Sequence, residues 1–152
     1  MPGETYVFSS GTQLDNGVAI PAGQVVPPVT KNMWYGGLTG STIPASLAAR
    51  TLFTPEGSAS YQVVAVTEIH NVVGSATFML VQASGTVPVG SGVPLLNSGM
   101  NAYSAVNTPQ YGNLINSAAL QTVAPGNTLG VRYTASATEP EGQFEVVLQR
   151  IG

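Results

Sequence analysis

At 152 residues the chain is long enough for one domain plus an extension. Charged residues make up 7% of it and the formal net charge is −3, with Lys31, Arg50, Arg132 and Arg150 as its four cations. That is too few to neutralise a phosphate backbone, so nucleic acid is excluded as a partner, and the absence of cysteine excludes disulfides and thiolate chemistry.

The first segment, 1–48, reads as an extended arm. Pro2, Pro21, Pro27, Pro28 and Pro44 interrupt it, with glycines between. Thr5 to Ser9 suits a short strand. Asp15-Asn16-Gly17 is a turn signal, because Asn and Gly tolerate positive φ. Val18-Ala19-Ile20 and Gln24-Val25-Val26 are expected to pair as a hairpin across Pro21-Ala22-Gly23. Met33-Trp34-Tyr35 follows, with the only tryptophan of the chain. This triplet suits either a plug that packs the arm on its own domain or an anchor in a neighbour, since Trp and Tyr dominate interface hot spots. Tyr6, Phe8, Trp34 and Tyr35 are the candidate partner-binding residues. Ala45 to Arg50 suits one helical turn.

A β-domain is expected over 49–152. Thr51 to Thr54 is a short strand stopped by Pro55-Glu56-Gly57. Tyr61 to Asn71 is dense in β-branched residues and lacks Gly and Pro. It joins a second strand, Ala76 to Gln82, at Asn71 to Ser75. Both faces of these strands are largely apolar, which suits central strands covered on both sides. Gly85 to Ser98 is loop-like, with Val93 to Leu96 as an edge strand. A second loop runs from Gly99 to Gly112. Ala118 to Ala124 reads as a strand, and Pro125-Gly126 as a type II turn. Leu129, Val131, Tyr133 and Ala135 alternate with polar or small residues, the pattern of a half-buried strand. After a turn over Thr138 to Gly142, Phe144, Val146 and Leu148 alternate in the closing strand and should face inward. The sum is seven or eight antiparallel strands in ~100 residues, an all-β sandwich with an extended N-terminal arm.

Tyr61–Val81 has the form apolar strand, His-Asn, Val-Gly-Ser-Ala, apolar strand. Leu120–Ile151 carries Ala-Pro-Gly-Asn-Thr-Leu, an alternating strand, a turn and a closing strand. This order resembles the small jelly-roll domains of tailed-bacteriophage structural proteins, among them the head decoration (cement) proteins. The resemblance covers about 50–152 and leaves the arm unmatched. It implies a jelly-roll sandwich that binds the major capsid protein on the outer shell, bridges capsomers and forms a homotrimer. It also implies a virion protein that stabilises the shell, and it transfers no functional residues; synthesis in the host cytoplasm is expected from the first residues, which carry no secretory pattern. The low charge agrees: a surface of Ser, Thr, Asn, Gln, Gly and apolar groups repels other copies weakly and suits coverage by neighbours. The alternative is a tail, fibre or baseplate β-domain that recognises a host-surface glycan, with Tyr103 and Tyr111 stacking on sugar.

No enzyme is expected, and no cofactor or metal site. His70 is the only histidine and Asp15 the only aspartate. A Ser-His-Asp triad would require the arm to fold back. Glu68 stands two residues before His70, so both project from one face of a strand. Glu139, Glu141 and Glu145 form the one acidic cluster, better suited to a solvated turn than to Ca²⁺. Gly36-Gly37-Leu38-Thr39-Gly40 lacks the lysine of a phosphate loop. The first residues lack the basic and apolar regions of a secretory signal, and no window approaches the ~18 apolar residues of a membrane span.

Overall fold

The structure, a computed structural model, describes residues 6–7, 13–15, 18–20, 25–35, 49–103, 105–133 and 140–152. Near the N-terminus, β1 (Tyr6–Val7) pairs with β4 (Val25–Val26), and β2 (Gln13–Asp15) pairs with β3 (Val18–Ile20). The pairings are concentric. Asp15 faces Val18, so residues 16–17, themselves outside the described residues, are all that connects the inner two strands. The hairpin expected across Pro21-Ala22-Gly23 is therefore corrected: Val18–Ile20 pairs back to Gln13–Asp15, not forward. Asn-Gly suits a two-residue hairpin loop, whereas proline fixes φ and has no N–H to donate.

The remaining strands are β5 (Val29–Tyr35), β6 (Ala49–Phe53), β7 (Tyr61–Val72), β8 (Thr77–Ser84), β9 (Val93–Pro94), β10 (Met100–Asn101), β11 (Gln110–Tyr111), β12 (Thr122–Val123), β13 (Asn127–Tyr133) and β14 (Glu141–Arg150). They build two antiparallel sheets. The first runs β6-β13-β8, with β9 and β10 sharing the far edge of β8. The second runs β5-β14-β7, with β11 and β12 sharing the far edge of β7. The two strands joined at 71–75 do not pair with each other: β7 lies in the second sheet and β8 in the first. Val29–Tyr35, inside the segment read from sequence as an arm, pairs along its whole length with β14, from Val29 opposite Leu148 to Tyr35 opposite Gly142.

Two local expectations need correction. Ala49 and Arg50 begin β6 and are not part of a helical turn; 45–48 lie outside the described residues. Ala118 to Ala124 does not form one strand. Ala118–Gln121 is a single helical turn, α1, and only Thr122–Val123 is extended. Ser117 caps the turn by accepting from the Leu120 N–H, and Ala-Ala-Leu-Gln is a run of good helix formers. The turn at Pro125-Gly126 is as expected: Gly126 has φ +84° and Asn127 N–H donates to Ala124 O at 3.0 Å.

Alternation places the core. Phe144, Val146 and Leu148 point inward from the second sheet, and Leu129, Val131 and Tyr133 from the first. Phe78 lies at the centre, with ring centroids 4.5 Å from Tyr35, 6.1 Å from Tyr133 and 6.4 Å from Phe144. The aromatic contacts thus tie three strands of the two sheets to one ring. Opposite β14, strand β7 carries an extra residue at Val64, where Ala65 faces Val147 and Val63 faces Leu148. This bulge re-aims the strand, so Val63 and Val66 are both buried though three residues apart. The outer face of β7 is only half-buried at Thr67 and Ile69, and among the described residues no second layer covers that side.

Candidate functional site

Beyond Val66 the inward positions of β7 are Glu68 and His70, and both are fully buried. A carboxylate buried in a sandwich is tolerated only when hydrogen bonds replace its water. Here three elements supply them. The Tyr35 hydroxyl donates to Oε1 from β5. Gln110 Nε2, on β11, donates to Oε2 at 2.6 Å. His70 Nδ1 lies 3.0 Å from Oε1 and 3.3 Å from Oε2. A carboxylate only accepts, so this geometry places the proton on Nδ1. Gln110 Nε2 also donates to Asn101 O at 2.5 Å, which links the cluster to β10 in the opposite sheet. His70 Nε2 is buried with no hydrogen-bond partner among the described residues.

Tyr35 and Glu68 come from strands that do not pair with each other; β14 runs between them. The residue of β14 facing both Tyr35 and His70 is Gly142. A Cβ at this position would strike Ile69 O, the Tyr35 hydroxyl and, at 2.7 Å, the Cα of His70. Gly142 is therefore the opening through which the tyrosine crosses its neighbouring strand to reach the acid. Burial pushes the Tyr35 hydroxyl far above the ordinary tyrosine range, and the hydrogen bond to Glu68 and its negative charge push it the same way. Tyr35 is thus held as a donor.

Glu68 and His70 have the orienter–base spacing of a hydrolytic site, and both side chains are fully buried. His70 lies within β7 and points into the sandwich. Its sharing a face with Glu68 is as read from sequence. Among the described residues no group of three His, Cys, Asp or Glu is placed to hold a metal ion, and no helix is long and apolar enough to cross a membrane. Glu139 lies outside the described residues; Glu141 and Glu145 are half-buried on β14.

The candidate partner residues are separated. Tyr6 lies in β1, and Phe8 is outside the described residues. The Met33-Trp34-Tyr35 triplet divides by strand alternation: Met33 and Tyr35 plug the core, while Trp34 points outward with 70% of its surface exposed. Tyr111 is 78% exposed and Tyr103 59%. At the other end of β5 a cleft of about 340 Å³ opens beside β6, lined in part by Lys31, Phe53, Glu56 and Tyr61. The Lys31 ammonium sits 5.4 Å over the Phe53 ring.

Nothing local in the sequence marks Gln110 or the contact of Tyr35 with Glu68; of the two readings of the Met33-Trp34-Tyr35 triplet, the plug holds for Met33 and Tyr35. One signal was present: a glycine in an otherwise alternating strand marks close approach of another group. Comparison of the chain with protein-family models, with curated proteins and with solved structures finds no match in any of the three.

Proposed function

We propose that this chain is a non-enzymatic structural protein of a virus particle, a capsid decoration protein that sits on the outer shell and bridges capsomers as a homotrimer. The observation that carries this reading is the pairing pattern. Strand β5 pairs with β14, β6 with β13, β7 with β11 and β12, and β8 with β9 and β10. These are the pairs of a long ribbon folded back on itself. Two further pairs, β14 with β7 and β13 with β8, roll that ribbon into two sheets. The pattern supports a jelly roll, an architecture used by viral capsid and lectin domains. Fold-level likeness alone is an analogy. Two features of this chain add to it. Only 7% of its residues are charged, which suits a surface covered by neighbours. The acid and imidazole most like catalytic groups are sealed inside the sandwich.

Attachment falls to the segment before β5, where Tyr6 and Phe8 lie. Tyr35 belongs to the interior. The experiment is sedimentation of the protein with capsids stripped of it, followed by electron microscopy. Added density at capsomer boundaries supports the reading, and failure to bind sinks it. A chain beginning at Pro27 keeps β5 whole, folds by circular dichroism and binds far less well. Equal binding by that truncated chain would remove the N-terminal segment from the contact.

A further inference from the structure

Alternation that turns Tyr35, Glu68, His70 and Gln110 inward turns their neighbours outward. The outer face of the second sheet therefore carries two rows. Trp34, Gln143 and Ile69 form one; Asn32, Glu145, Thr67 and Tyr111 form the other. Trp34 stands on one edge strand, β5, and Tyr111 on the other, β11. Three strand steps, about 14 Å at the usual strand spacing, separate them laterally, and one row separates them along the strands. Both aromatics are mostly exposed, and between them lie an amide, a carboxylate, a hydroxyl and one isoleucine.

We propose that this face is a binding platform for an uncharged oligosaccharide, with Trp34 and Tyr111 each stacking on the C–H face of one sugar ring. The arrangement is the reverse of a protein–protein patch. Such patches have an apolar centre and a polar rim; here the centre is polar and the aromatics are at its ends. Gln143, Glu145 and Thr67 offer both donors and acceptors, as neighbouring sugar hydroxyls require. The strands hold the two rings at a fixed separation, so little ordering accompanies binding, and Trp and Tyr supply rigid contact area with few rotatable bonds. Charge selects the class of sugar. Glu145 lies in the middle of the platform, and no exposed lysine or arginine among the described residues stands on it; Lys31 lies on the inner side of β5 over Phe53. Sulfated, sialylated and uronic acid chains are disfavoured there.

Trp34 is the only tryptophan, so the tryptophan emission of the full chain, excited selectively over tyrosine, reads this face alone. The test is a fluorescence titration with cellohexaose, maltohexaose, chitohexaose and mannohexaose, against a heparin-derived hexasaccharide. A saturable shift with a neutral sugar is expected. Tyr111→Ala should weaken that affinity at least tenfold, while Tyr103→Ala, on the loop after β10, should leave it unchanged. Calorimetry should show a similar loss for Trp34→Ala, with circular dichroism unaltered. No saturable response to any neutral sugar at millimolar concentration overturns the proposal. So does stronger binding of the heparin fragment, full retention of binding by Tyr111→Ala, or an emission shift on protein dilution alone, which would assign the face to a second copy of this chain. The readout uses the free protein and is independent of capsid binding.

Discussion

Trp34 and Tyr35 are adjacent on β5, as are Thr67 and Glu68 on β7 and Gln110 and Tyr111 on β11, yet each pair is divided between water and core. The division does not follow polarity. On the inner side lie a carboxylate, an imidazole, an amide and a phenol; on the outer side an indole, a phenol and Ile69 stand among Asn32, Gln143, Glu145 and Thr67. Lower in the same sheet, Val146 and Leu148 point inward as ordinary core residues. The difference shows what alternation does and does not dictate. It assigns residues to two faces, but which face is core is decided by what the other strands bring to meet it. Glu68 can face inward because three donors converge on it, and Phe144, directly opposite on β14, lies beside it without competing for them.

The largest test of this comparison sets those two cross-strand neighbours side by side. Glu68→Ala leaves the Tyr35, His70 and Gln110 donors without their acceptor and should cost about 3–5 kcal/mol in chemical denaturation. Phe144→Ala should cost a similar ~3–5 kcal/mol through a cavity next to Phe78. If Glu68→Ala cost less than ~1 kcal/mol, the polar cluster would not be holding the strands together.

Gly142→Ala tests the opening between Tyr35 and Glu68. Two of the three obstructing atoms are backbone, so the strands must shift, at about 1–3 kcal/mol. Amide exchange in β5 should rise more than in β13; a uniform rise would mean that β5 is not held through this point.

His70→Ala removes a buried ring that accepts nothing at Nε2 among the described residues, and should lower stability by roughly 1–3 kcal/mol. It should leave capsid and sugar binding at wild-type level once folding is accounted for. Lost binding by a folded His70→Ala protein would give the imidazole a functional part.

Tyr35→Phe should cost about 1 kcal/mol near neutral pH. Its pH dependence is the sharper measurement. An unfolded tyrosine ionises near its ordinary value of 10.0, while burial and Glu68 keep Tyr35 protonated above that in the fold. The raised folded value means that this contribution is complete below pH 10 and declines as pH rises beyond it, by about 1.4 kcal/mol per unit. The excess of wild type over Tyr35→Phe should therefore shrink between pH 8 and pH 11. A constant difference would show that the hydroxyl titrates alike in both states.

The smallest effects belong to the outer side. Trp34→Ala and Tyr111→Ala should each change stability by no more than ~0.5 kcal/mol, because neither ring is packed into the core. A larger loss for Trp34→Ala would mean that the indole stabilises β5 itself.

Much of the framework was legible because it rests on local chemistry. Phe144, Val146 and Leu148, and Leu129 and Val131, show their burial through strict alternation, and Pro125-Gly126 shows its turn through φ preferences alone. The hairpin partner of Val18–Ile20 is ambiguous in sequence because a turn signal stands on either side of it, and the Asn-Gly one prevails. Ala118–Gln121 hides its helical turn because four residues are too few to show a helical period. The cluster was half legible. The spacing of Glu68 and His70 put them on one face, but the pattern that sends acids to water hid which face it was. Tyr35 and Gln110 lie 33 and 42 residues from Glu68 and meet it only after β14 is in place.

That last placement bears on how the chain is made. Strand β14 occupies the middle of the second sheet, with β5 on one side and β7 on the other. During synthesis both of those strands emerge with unpaired edges long before residues 141–150 exist to join them. Pairs so distant in sequence form late and slowly. The growing polypeptide therefore exposes two sticky β-edges on the ribosome, where a second nascent copy or a chaperone can reach them first. High expression should put this chain into aggregates more readily than its finished stability would suggest, and slower synthesis should do little to prevent it.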